Sequence, residues 1–119
     1  MALHYNLAKV YAISDNDPDF VHQIVKVFVL DTPIDLDHIK VAIEEKNHQK
    51  CFEYAHKIKP SLDLLSLNIA LEEVILIELW AKSLGKKKEV VELYRSASER
   101  IEKAIKEIKK DFNLKNAKI

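Results

Sequence analysis

The chain has 119 residues, and its 19 basic and 19 acidic side chains give a formal net charge of zero. That balance excludes binding to nucleic acid through overall charge. A single cysteine excludes an internal disulfide and fits a reducing cytoplasm. One glycine and three prolines are too few for the turns of a loop-rich or β-rich fold.

Lys, Glu, Leu, Ile and Ala dominate, so helix propensity is high throughout, and six helices are predicted. A short first helix covers about Leu7 to Ile13. Asp17-Pro18 reads as an N-cap followed by proline at the first helical position. The second helix then runs to about Asp31, with Phe20, Ile24, Val27 and Phe28 inward. Thr32-Pro33 repeats the device and opens a third helix, with Leu36, Ile39 and Ile43 inward. Asn47 caps the fourth. Ser66 or Asn68 restarts the chain as the fifth, the most apolar, carrying Ile69, Leu71, Val74, Ile75, Ile77 and Leu79. Gly85 is placed to end it in a left-handed conformation. The last helix runs from about Lys86 to Phe112 on a seam of Val90, Tyr94, Ala97, Ile101, Ala104 and Ile108. Asn113 to Ile119 is expected to fray.

Short connections make consecutive helices antiparallel neighbours. The expected fold is all-α: an up-down antiparallel four-helix bundle with a short additional N-terminal helix. Residues 1–119 form one domain, with an ordered core over about 5–112. The first ten residues are too polar for a signal peptide. The apolar run Ile69 to Leu79 is interrupted by Glu72, Glu73 and Glu78, so no membrane span is expected. Lys86-Lys87-Lys88 reads as the solvated start of the last helix.

Candidate chemistry concentrates in Ala55-His56-Lys57-Ile58-Lys59-Pro60-Ser61-Leu62. Cys51, Ala55, Ile58, Leu62 and Leu65 repeat at threes and fours, which makes them one buried stripe. His56 lies roughly 140° from that stripe, in solvent; Lys59 lies about 60° from His56, and Asp63 about 20°. A neutral imidazole nitrogen is a good nucleophile. Phosphoryl transfer needs in-line positioning and a cation near the developing charge. His56 with Lys59 at i+3 therefore suits carriage of a phosphoryl group.

Other chemistries fare worse. Asp19/His22, Asp35/His38, Glu45/His48 and Glu53/His56 have the Glu-x-x-His spacing of di-iron bundles, but such ligands must point into the core and His56 points out. No metal site is expected. Cys51 faces the core, away from His56, so a thiol–imidazole pair fails on geometry. One glycine leaves no phosphate-binding loop, and no ATP binding or kinase activity is expected. Trp80 and Tyr94 read as core or boundary aromatics.

The segment Ala55 to Ser61 resembles the signature of histidine-containing phosphotransfer (HPt) domains of two-component phosphorelays: His, any residue, Leu or Ile, Lys, usually Gly, then a small residue. The helix order resembles that family along nearly the whole chain. Asp31-Thr32-Pro33 with Asp35-Leu36 resembles the turn between its second and third helices. The resemblance implies that His56 is the phosphoryl acceptor, Lys59 the charge-stabilising lysine, Ile58 the packing position and Ser61 the small residue. It implies a cytoplasmic, monomeric, bacterial phosphocarrier with no cofactor of its own. Its partners would be response-regulator receiver domains, which bring their own Mg²⁺, and a hybrid histidine kinase, with neither nucleic acid nor membrane. Phe52, Pro60 and Asp63 would lie at the partner surface. Pro60 and Ser66 stand where the family commonly has glycine, and Pro60 removes the N–H that would bond the His56 carbonyl, which predicts a kink. A non-catalytic helical interaction module is the alternative.

Overall fold

The computed structural model describes residues 4–114. Five α-helices and one 3₁₀ turn account for the order among these residues, with no strand. They are α1 (Ala8–Ile13), α2 (Pro18–Glu44), α3 (His48–Leu64), α4 (Asn68–Lys82) and α5 (Val91–Asp111), with the 3₁₀ turn at Lys87–Glu89. Helix α2 packs on α3 and α5, α4 packs on the same two, and α1 lies against α2. No described helix is long and apolar enough to cross a membrane.

The caps act at two starts as the sequence suggests. The Asp17 carboxylate accepts the N–H groups of Asp19 and Phe20, with Pro18 next in line. The Asn47 side chain accepts the N–H of Lys50. Thr32-Pro33, in contrast, opens no helix. Residues 18–44 form one helix with Pro33 inside it and Thr32 buried. The core stripe Val25, Phe28, Val29, Thr32, Leu36, Ile39 and Ile43 keeps helical phase across the proline. Packing of that stripe outweighs the lost backbone bond, while the Pro33 ring sits on the exposed side. The resemblance of Asp31 to Leu36 to an interhelical turn therefore does not hold. The phase of the first half also differs: Val21 and Val25 are buried, while Phe20 and Val27 are exposed. On α4, Val74 and Ile77 are buried, whereas Ile69, Ile75 and Leu79 face solvent.

Left-handed residues close the turns, and none of them is glycine. Lys46, Ser66, Leu84 and Asn113 have φ of 55°, 59°, 56° and 56°. Leu84, one position before the expected Gly85, takes the left-handed cap of α4, and the Gly85 N–H reaches back to the Trp80 carbonyl. Gly85 has a different reason to be glycine: a Cβ there would stand 2.3 Å from Trp80 Cδ1. Trp80 cannot yield easily, because it is buried and its Nε1–H donates to the Lys86 carbonyl at 2.8 Å. Gly85→Ala should cost about 2–3 kcal/mol in chemical denaturation. An unchanged midpoint would mean that this contact relaxes freely. At the far end, the N–H groups of Asn113 and Leu114 cap α5 and Leu114 is buried, so order extends past Phe112. The rest of the tail expected to fray, 115–119, lies outside the described residues.

Candidate functional site

Helix α3 buries Cys51, Ala55, Ile58 and Leu62, which turns His56 outward; its side chain is 65% exposed. The ring is nonetheless fixed. His56 Nδ1 lies 2.8 Å from Glu78 Oε2, a residue of α4. Lys59 Nζ donates to the other oxygen of the same carboxylate, Glu78 Oε1, also at 2.8 Å. One carboxylate of α4 thus joins the two candidate residues of α3.

Glu78 is the residue that sequence reasoning missed as a site member. It is 22 positions from His56, on a different helix, within the most apolar stretch of the chain. Its side chain is 11% exposed. Burial alone raises a carboxyl pKa, but hydrogen bonds from Lys59 and then His56, with their charges, outweigh it and hold Glu78 below the ordinary carboxylate value. Ionised at neutral pH, the carboxylate only accepts. The shared proton therefore belongs on His56 Nδ1, which assigns the tautomer and leaves the lone pair on Nε2. Nε2 has no hydrogen bond among the described residues.

Lys59 is less open than the helical phase implies. Its side chain is 25% exposed and held by Glu78. Phe52, one turn before His56, is half-buried and stacks on the imidazole, with centroids 5.8 Å apart and planes 15° from parallel. Pro60 is exposed within α3, and the helix runs on past it to Leu64. Asp63 does not reach His56: it pairs with Lys9 of α1 at 3.0 Å. Lys57, beside the site, pairs with buried Asp35 of α2 at 2.9 Å.

The remaining histidines differ in kind. His22 stands by Phe112, and His38 stacks on Tyr54. His48 is half-buried and bonds the Gly85 carbonyl through Nε2 at 2.8 Å. None of these three combines an outward ring, a carboxylate on Nδ1 and a neighbouring ammonium; His4, near the N-terminus, has its Nδ1 3.6 Å from Glu107. Among the described residues, no three His, Cys, Asp or Glu side chains converge to hold a metal ion. Burial pushes the Cys51 thiol up to about 11, so little thiolate is present at neutral pH. The arrangement can hold one tautomer of an exposed imidazole, present its Nε2, and keep a cation within reach. No protein-family model matches the chain, and neither a curated protein nor a solved structure is found to match it.

Proposed function

We propose that the chain is an HPt-like phosphocarrier of the bacterial cytoplasm. On this reading α2 to α5 form an up-down antiparallel bundle, α1 is the short additional helix, and His56 relays phosphoryl groups between receiver domains. The observation that carries the reading is the shared carboxylate of Glu78, which fixes the His56 tautomer and holds Lys59 beside it.

The step balances simply. The Nε2 lone pair attacks the phosphorus of an aspartyl phosphate in line with the bond to the aspartate oxygen. The N–P bond forms, the P–O bond breaks, and the aspartate leaves as a carboxylate with the electron pair. Nδ1 keeps its proton throughout, and Glu78 balances the positive charge that grows on the ring. Lys59 supplies positive charge to the phosphoryl oxygens, exchanging Glu78 for them. The partner brings the Mg²⁺ that its own carboxylates hold. Transfer to a second receiver is the reverse of the same step.

The test is incubation with receiver domains phosphorylated by acetyl phosphate and Mg²⁺. Label should pass to the chain, wash out in acid and survive alkali, as phosphohistidine does. Receiver binding without label would favour the non-catalytic interaction module. Label stable to acid would point to a hydroxyl acceptor and overturn the reading.

A further inference from the structure

His48 anchors the turn between α2 and α3 to the connection between α4 and α5 through its bond to the Gly85 carbonyl. That contact gathers at one end of the molecule six lysines from separate segments: Lys46, Lys50, Lys82, Lys86, Lys87 and Lys88. All six are exposed, and none forms an ion pair among the described residues. Lys9, Lys57 and Lys59, by contrast, are each paired with a carboxylate. Lys87 faces the groove between α2 and α5, where Asp37, Glu44 and Glu102 also lie; on the side nearer His56 the other five lysines outnumber Glu45, Glu53 and Glu89.

The patch is continuous with His56. The Lys82 ammonium lies 5.9 Å from the centre of the Phe52 ring, and Phe52 stacks on His56. His48 precedes His56 by two turns of α3, about 12 Å along the axis. An interface of standard size covers about 800 Å² on each partner, enough to include both. Leu84 stands among the lysines, 72% exposed, and offers an apolar contact.

We infer that this lysine-rich end is the docking surface that steers the acidic rim of the phosphoryl-exchanging partner onto His56. The inference rests on the phosphotransfer reading. An aspartyl phosphate sits beside the carboxylates that bind its Mg²⁺, so the face it presents is negative. Unpaired lysines beside the acceptor histidine complement that face and raise the rate of productive encounter.

The experiment uses the receiver domain that labels the wild-type chain fastest. The triple variant Lys82→Glu, Lys86→Glu, Lys88→Glu should lower kcat/KM for transfer at least about tenfold at low ionic strength, with kcat unchanged. The difference should shrink near 1 M salt, where the screening length is about 3 Å. A second triple variant on the C-terminal part of α5, Lys103→Glu, Lys106→Glu, Lys110→Glu, carries the same change of net charge and should leave KM alone. Circular dichroism should be the same for all three proteins. Equal effects from both variants, or none from the first, would overturn the steering surface while leaving the relay intact. If no receiver labels His56 in the wild type, the phosphotransfer reading fails, and the inferred partner fails with it.

Discussion

His56→Gln should abolish acid-labile labelling of the chain by a phosphorylated receiver, while the same change at His22, His38 or His48 should leave it in place. Gln keeps a polar side chain of similar reach but has no nucleophilic nitrogen. The ring is largely exposed but bonds Glu78, so stability should fall by no more than about 1 kcal/mol. The comparison across histidines gives the result its meaning, because of these four only His56 has a carboxylate on Nδ1 and an ammonium beside it. Label persisting in His56→Gln would move the site elsewhere, even if transfer itself were real.

Glu78→Gln is expected to slow transfer by about 10- to 100-fold, by analogy with loss of the carboxylate that orients a metal-bound histidine. The amide oxygen can still accept from Nδ1–H, but the charge that balances the ring is gone and the amide N–H₂ repels Lys59. The same variant carries a second, independent readout. In the folded protein Glu78 lies below its ordinary value of 4.5, so around that pH the folded state binds fewer protons than the unfolded one. Its contribution to stability is present above about pH 4.5 and is lost as pH falls through the folded-state value. Denaturation curves between about pH 3 and 5 should therefore show a shallower loss of stability in Glu78→Gln than in the wild type. Parallel curves would mean that the pairing with Lys59 and His56 contributes nothing to folding.

The contrast between His56 and Glu78 explains how far the sequence can be read. The direction of His56 follows from local periodicity, because Cys51, Ala55, Ile58 and Leu62 mark the buried side of its own helix. Glu78 depends on how α4 is rotated against α3, and its local pattern reads as one acid interrupting an apolar run. The same limit explains Asp63, whose phase brings it near His56 on a helical wheel although Lys9 of α1 draws it away. Thr32-Pro33 shows a local signal being overruled. It has the residues of a helix start, yet burial of Thr32 and Leu36 on a continuous stripe carries the helix through. The all-helical character needed no such tertiary information, since composition alone left few residues able to make turns.

The scarcity of glycine leaves a reserve of stability that evolution has not drawn on. Lys46, Ser66 and Leu84 each bear a side chain in a backbone conformation that glycine adopts without steric cost. All three lie at helix ends, away from the His56–Glu78–Lys59 contacts. Glycine at these positions would relieve about 0.5–1 kcal/mol apiece after its own entropic loss. The protein can thus be hardened at its corners without disturbing the groove between α3 and α4, which makes it a tolerant scaffold for substitutions that weaken the groove itself.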